Sequence, residues 1–328
     1  MLTAFKRWVY NQYRNYVWLL SRIGKTVKTS PSEGSELYIF TVAYNHVQLI
    51  EKQIELVKLH VRDKKYRHMM VDNSPSKDAR KQIKGICARE GIGYVPVPMF
   101  IDKLICHRIF GNGLSHGAAL NWVFYHFLKQ QKPVKFALID HDVFPMEDYS
   151  FIDKLGDRDF YGVERIRGNG WYVWPGWCIF KFDAIKDCQP NFLPYYLNET
   201  FLDAGGGNFP RFYGRYDLKT IEFPPVVTKR ILHFKELSSY NDIYHGDCVQ
   251  LIDHTWLHLI NGSNCARIPG KEGLVKRMIE DIDRVYEEVK NRAQEKSLTV
   301  GYGYKVWGGS SYLDEIKEEA MANVRKMM

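Results

Sequence analysis

The sequence predicts an α/β protein: a mostly parallel sheet flanked by helices, preceded by an N-terminal amphipathic helix. Three observations predict it. Short β-rich runs alternate with helical segments from residue 36 to residue 140, joined by short connections, the pattern of a parallel sheet covered on both faces. Three of the strands run directly into polar clusters, Tyr44-Asn45, Asp72-Asn73 and Asp140-His141-Asp142. With 45% hydrophobic and 26% charged residues over 328 positions, the chain has ordinary globular composition and enough apolar surface for a large core, which excludes global disorder. Ligands of such sheets bind beyond the carboxyl ends of the strands, so the three clusters are expected to meet along one edge.

The first element is an arm over residues 1–28. Phe5, Trp8, Val9, Tyr13, Tyr16, Val17, Leu20 and Ile23 recur at three- and four-residue intervals, which places them on one helical face. Lys6, Arg7, Arg14, Arg22, Lys25 and Lys28 are unaccompanied by any acid, so the arm supplies six of the eight net positive charges. The rest of the chain is close to neutral, which argues against a nucleic-acid binder. Two readings of the arm stand side by side: a helix lying on an anionic membrane surface, and an amphipathic helix docked on the domain.

A polar linker follows at residues 29–35. The run at 37–43 is the first strand, and Asn45 is placed to cap a helix over 46–60. A second strand is predicted at 66–71, a helix at 77–89, a strand at 92–97, a helix at 113–130 and a fourth strand at 134–139. Past residue 150 the alternation fades into Gly/Pro/aromatic loops at 168–177 and 203–213, a kind that more often carries function than scaffold. Residues 271–294 and 311–326 read as helical, giving a catalytic domain over 36–270 and a C-terminal helical flank over 271–328. The six cysteines, Cys87, Cys106, Cys178, Cys188, Cys248 and Cys265, have no short regular spacing and read as reduced thiols. The sequence lacks an apolar run of about 18 residues and a signal-peptide pattern. The expectation is a cytoplasmic protein, peripheral on the inner face of the membrane.

Asp140 and Asp142 carry the chemistry. On an extended chain, residues i and i+2 face the same side, so both carboxylates are expected to point together while His141 points away. Two hard oxygen ligands beside a diphosphate suit Mn²⁺ or Mg²⁺, which would draw charge from a departing nucleoside diphosphate.

TVAYNHVQLIEKQIELV, VDNSPSKDARKQI, GLSHGAALNWVF and LIDHDVFP resemble, in that order, four segments of the GT-A-fold glycosyltransferases, especially inverting family two. These are the opening strand and helix, the nucleoside-binding segment, the helix before the metal strand and the DxD strand. The resemblance spans residues 36–262. It departs at Ser74-Pro75, where Gly-Ser is common, and downstream, where the family's Glu-Asp pair and QxxRW segment have no counterpart. It implies a GT-A (Rossmann-like) fold, a UDP- or GDP-linked sugar donor, a divalent metal, and inverting transfer to a glycan or lipid-linked acceptor. The donor is then expected on Thr41, Ala43, Tyr44, Asn45, Asp72, Asn73, Asp140 and His141, with Asp72 at the nucleoside. The metal is expected on Asp140, Asp142 and His258, with His254 the fallback to His258.

Inversion needs a carboxylate base for the acceptor hydroxyl. Asp203, followed by three glycines, is the first candidate and Glu199 the second; the alternative is that Asp203 caps a turn. Trp171, Trp174 and Trp177 are candidates for an acceptor platform, shared with the core. Two rival functions use the same features. One is a metal-dependent phosphoesterase or nucleotidyltransferase; the other is a non-catalytic carbohydrate- or membrane-binding protein on a degenerate fold.

Overall fold

The computed structural model describes residues 2–24, 36–104, 113–234, 248–268 and 270–298. The predicted linker at 29–35, the helix at 311–326 and Cys106 lie outside the described residues. The predicted fold class is the one observed. Strands β1 (Leu37–Ala43), β2 (Tyr66–Asp72), β3 (Gly93–Pro96) and β4 (Lys135–Asp140) pair in parallel in the order β3-β2-β1-β4. Two later strands, β6 (Phe160–Arg167) and β7 (Gly170–Lys181), extend that sheet antiparallel beyond β4.

Every residue of β1 is buried, as befits the centre of a sheet covered on both faces. Its side chains alternate between two cores. Tyr38, Phe40 and Val42 pack with Leu114, Ala118, Phe124 and Phe127, which belong to helix α4 (Gly113–Val123) and the π-helical turn Phe124–Leu128 that continues it. On the other face, Ala43 packs with α2 (Val47–His60) and α3 (Lys77–Glu90) through Ile50, Ile54, Ile83 and Ile86. Ser76 caps α3 by accepting from the Ala79 N–H at 3.2 Å, and Gly91 closes it in the left-handed region.

A second sheet, entirely antiparallel, runs β10 (Val226–Arg230), β11 (Cys248–Ile252), β12 (Trp256–Leu259), β5 (Val143–Pro145). Helices α5 (Lys271–Glu280) and α6 (Ile282–Asn291) share its core through Leu274, Met278, Val285 and Val289. The chain passes from the first sheet to the second within two residues, leaving β4 at Asp140 and entering β5 at Val143. Gln53 of α2, fully buried, fixes that corner: its amide nitrogen donates to the carbonyls of Asp140 at 2.6 Å and Val143 at 2.8 Å.

Helix α1 (Leu2–Ser21) is docked on the domain, the second of the two readings of the arm. The face it buries is only in part the predicted one: Val17 of the stripe is buried and Tyr13 packs on the core. Tyr10, Arg14, Val17 and Ser21 are buried, while Phe5, Trp8, Tyr16 and Ile23 of the predicted stripe are exposed. The receiving surface explains the choice. It is made by α4 together with the hairpin of β8 (Tyr195–Leu197) and β9 (Thr200–Leu202), whose Tyr196 and Phe201 meet the Tyr10 ring edge-on, while the Arg14 guanidinium lies over Tyr195 at 4.8 Å.

Candidate active site

The exits of β1 and β2, the start of α4, the β4–β5 corner and the turn after β12 line a single cleft. It includes Tyr44, Asn73, His116, Asp140, His141, Asp142, Arg165, Trp174, Asp203 and His258. The convergence expected of the three polar clusters is therefore real, although it is selective.

At the corner, residues 141–142 form a turn between β4 and β5. The strand alternation that would direct His141 away does not apply there, and this corrects the expectation. The His141 ring lines the cleft beside both aspartates. Its Nδ1 lies 2.8 Å from the Val42 carbonyl, which makes Nδ1 the protonated nitrogen, and its buried Nε2 has no partner.

Asp142 is held from behind. Its Oδ2 accepts from the Ser263 backbone N–H at 2.7 Å and from the Ser263 hydroxyl at 2.6 Å. Gly262 packs so closely that a Cβ there would stand 2.8 Å from the Asp142 Cβ, so only glycine fits. The other oxygen, Oδ1, is buried without a partner. A buried, unpaired carboxylate oxygen facing a cleft is the feature a cation would satisfy.

Asp140 has a partner that sequence reading missed. His116 of α4 places its Nε2 3.1 Å from Asp140 Oδ1. Burial works to raise the Asp140 pKa, but the neighbouring His116, with His141 and His258 behind it, holds the carboxyl below its ordinary value. Burial likewise works to lower His116, and Asp140 outweighs it, leaving the imidazole raised. The signal was present in GLSHGAALNWVF: His116 stands one turn into a helix that begins at the cleft.

His258 is oriented by a chain of hydrogen bonds. Gln250 donates its amide nitrogen to Thr228 Oγ1 at 3.2 Å, which turns its Oε1 toward His258 Nδ1 at 2.9 Å. Nδ1 is then the protonated nitrogen and Nε2 keeps its lone pair, the tautomer of a metal-ligating histidine. Burial holds its pKa low, which favours the neutral ring. Trp174 lies over this ring at 4.8 Å, and the Arg165 guanidinium lies over Trp174 at 5.1 Å. His254, the fallback, sits exposed in the β11–β12 turn and does not line the cleft. Among the described residues, no three His, Cys, Asp or Glu side chains form a group able to hold a metal ion. Asp140, Asp142 and His258 thus share the cleft without forming a closed ligand set.

The β1 and β2 exits divide. Tyr44 and Asn73 line the cleft, and Asn73 donates to Ser115 Oγ at 2.9 Å while its Oδ1 is buried without a partner. Thr41, Ala43, Asn45 and Asp72 do not line it. The Thr41 hydroxyl pairs with His68 Nε2 at 2.8 Å inside the sheet, and Ala43 is core. Asp72 is fully buried, its Oδ1 accepting from the Ser74 N–H at 2.9 Å and its Oδ2 from the Tyr94 hydroxyl at 2.7 Å. Its carboxylate is therefore satisfied within the fold, which corrects the expectation that it meets a nucleoside.

Asn45 does not cap α2. It adopts φ 58° and ties the two strand exits together, donating its N–H to Ser74 Oγ at 2.8 Å and accepting from the Ser76 N–H at 3.3 Å. Ser74 therefore has a structural use at the position where the sequence departs from the Gly-Ser pattern.

Of the two candidate bases, Asp203 lines the cleft, immediately before a turn in which Gly205 takes φ +95°. Glu199 does not. Its side chain is 83% exposed and pairs with Arg7 of α1 at 3.1 Å, which places it on the outer surface. Of the three tryptophans, Trp174 alone lines the cleft, whereas Trp171 and Trp177 are core. Arg165, Arg167, Asn261, Ser263 and Asn264 also line the cleft and were not singled out from sequence. The last three follow β12 in an Asn-Gly-Ser-Asn turn, a polar strand exit like the one after β4.

No protein-family model matches the chain, and no curated protein does. Among solved structures, the apo form of the bifunctional glycosyltransferase WbbM aligns over 49% of this chain and 35% of its own, at 13% identity and TM-score 0.34. The mannosyltransferase PcManGT from Pyrobaculum calidifontis, in complex with GDP-mannose and Mn²⁺, aligns over 54% of this chain and 55% of its own, at 12% identity and TM-score 0.34. The galactosyltransferase LgtC, in complex with donor and acceptor sugar analogues, aligns over 44% of this chain and 57% of its own, at 15% identity and TM-score 0.34. The aligned parts make up between about a third and just over half of those chains. Likeness at this level assigns no activity, and the functional reading rests on the cleft.

Proposed function

We propose that the protein is a metal-dependent glycosyltransferase of GT-A type, moving a sugar from a UDP- or GDP-linked donor to a hydroxyl of a glycan or lipid-linked acceptor. The observation that carries this reading is the β4–β5 corner. There an aspartate pair shares one cleft with a histidine in the ligating tautomer, and Asp142 Oδ1 is buried with nothing to bind.

Asp142, through its open Oδ1, and Asp140 would hold Mn²⁺ or Mg²⁺, which would supply Lewis-acid help to the leaving diphosphate when bound. His258 shares the cleft but does not stand grouped with them as a third ligand. Such a cation takes its other ligands from phosphate oxygens and water, so an open protein set suits it. His116 offsets charge at the corner, since Asp140, Asp142 and Asp203 gather three carboxylates in one cleft. Tyr44 and Asn73, at the exits of β1 and β2, are assigned to the nucleoside. Asp203 is assigned as the base that takes the proton of the attacking hydroxyl, which makes the transfer inverting. Trp174, with His258 and Arg165 packed on its ring and Arg167 in the same lining, forms the cleft wall assigned to the acceptor sugar.

A thermal-shift panel of UDP- and GDP-sugars with and without Mn²⁺ tests the reading. A nucleotide-dependent rise that needs Mn²⁺ supports it, and phosphomonoester cleavage without sugar transfer would replace it with a phosphoesterase. With a turned-over donor in hand, the anomeric configuration of the product read by NMR decides inversion, and a retained configuration removes Asp203 from the role of base.

A further inference from the structure

We propose that Arg165, Arg167 and Tyr172 form a subsite for an oxyanion, a phosphate or carboxylate group carried by the acceptor. Arg165 and Arg167 stand two apart in β6, so they project from one face of the strand, and both line the cleft. Ile166 between them is exposed on the other side. Across the hairpin, Arg165 pairs with Tyr172 of β7 and Arg167 with Gly170. Tyr172 therefore shares the cleft-facing side, and the position opposite Arg167 carries no side chain.

This wall is rich in donors. Arg165 lays its flat face on Trp174 at 5.1 Å, which leaves its N–H groups in the plane of the guanidinium; one of them donates to the Glu164 carbonyl at 3.2 Å. Tyr172 is 1% exposed. Its hydroxyl accepts from the Asp203 N–H at 3.2 Å, and among the described residues nothing accepts its own proton. Burial and the Asp203 charge raise its pKa while Arg165 and Arg167 pull the other way, so the hydroxyl keeps that proton as a donor. A buried donor with its proton unspent, beside two guanidiniums, is completed by a group that only accepts.

Charge narrows the class. The charges acting most on the Tyr172 hydroxyl are one carboxylate, Asp203, and two guanidiniums. An uncharged sugar would leave that positive excess inside the cleft, whereas a phosphate or carboxylate offsets it and matches the forked donors of arginine. Position then assigns the oxyanion to the acceptor. In the order β3-β2-β1-β4-β7-β6, the exits given to the nucleoside and strand β6 lie on opposite sides of β4 and its acidic corner. Asp203, the assigned base, is tied to the β6 side through Tyr172, so an anion held there brings a hydroxyl of the same molecule to it. Calling that molecule the acceptor rests on the glycosyltransferase reading; the oxyanion subsite does not.

Isothermal titration of the full-length chain with glucose 6-phosphate, glucuronate and glucose, without nucleotide or metal, tests the subsite. One anionic probe or both should bind at least ~tenfold more tightly than glucose, and the pair tells phosphate from carboxylate. The double variant Arg165→Gln, Arg167→Gln should lose that preference, and Arg165→Lys, Arg167→Lys, which keeps the charge without the fork, should hold part of it. Tyr172→Phe should weaken the anionic probes and leave glucose unchanged. Glucose bound as tightly as both anions overturns the proposal, and so does an undiminished preference in the Gln variant. On the unmodified chain, sulfate should displace the anionic probe and leave the Mn²⁺-dependent UDP thermal shift in place, a readout that needs no variant to fold. Loss of that UDP shift to sulfate would hand the guanidiniums to the donor diphosphate and overturn the proposal. Anion binding with no Mn²⁺-dependent UDP shift at all supports the subsite and sinks the glycosyltransferase reading, so the two fail separately.

Discussion

Two strands of the first sheet end in an aspartate at the same edge, and the two ends behave oppositely. At the β2 exit, Asp72 finds both of its partners inside the chain, from the Ser74 N–H and the Tyr94 hydroxyl, and lies sealed from solvent. At the β4 exit, Ser263 saturates only one oxygen of Asp142, and the other is left buried and open. Position at the carboxyl end of a parallel strand is thus not enough to make a ligand site. What decides is whether the fold completes the carboxylate or leaves it for something else to complete.

That contrast is open to attack from both sides. The largest effect belongs to the open corner. Asp142→Asn keeps a side-chain oxygen for Ser263 but withdraws the charge, and sugar transfer should fall by roughly 10³-fold. The Mn²⁺-dependent part of the thermal shift should vanish with it, and persistence of both would show that the ion sits elsewhere. The closed side should respond in stability instead. His68 of β2 is buried against Thr41, and burial together with Lys58 lowers its pKa to about 4.

Because the folded value lies below the unfolded one, the unfolded chain takes up the proton first as pH falls. Stability should be level above pH ~6.5 and then drop by roughly 3 kcal/mol down to pH ~4. Urea titrations at several pH values measure the slope, and the His68→Gln variant should flatten it. Asp72→Asn is expected to cost about 2 kcal/mol in the same assay, since one of two buried hydrogen bonds is mismatched. Its donor-induced thermal shift should stay intact; selective loss of that shift at unchanged stability would return Asp72 to the nucleoside. The smallest effect is expected at Glu199→Gln, which removes an exposed pair with Arg7 worth under about 1 kcal/mol. An equal turnover number in the variant would leave Asp203 as the base.

Periodicity carried most of the fold. The predicted strands and helices between residues 37 and 140 recur within a residue or two, because continuous apolar runs and capped amphipathic segments are local properties. The Asp140-Asp142 corner was legible for the same reason, as acid directly after a buried strand. What escaped was set by partners distant in sequence. Tyr94 seals Asp72 from 22 residues away, and Ser263 reaches Asp142 across 121. His141 was assigned to the wrong side because alternation holds in a strand and lapses in a turn. The docked face of α1 was read only in part, Val17 and Tyr13 but not Tyr10 and Arg14, because an aromatic hairpin nearly two hundred residues on receives the latter two. Local pattern ranks candidate residues, and tertiary contact then sorts them.

The Gln53 amide that grips the carbonyls of both Asp140 and Val143 has a mechanical consequence. With one side chain clamping the end of one sheet to the start of the next, the two cannot pivot about the acidic hinge point without breaking both bonds. The floor of the cavity is a fixed anvil, and whatever closes over a bound ligand must come from the rim.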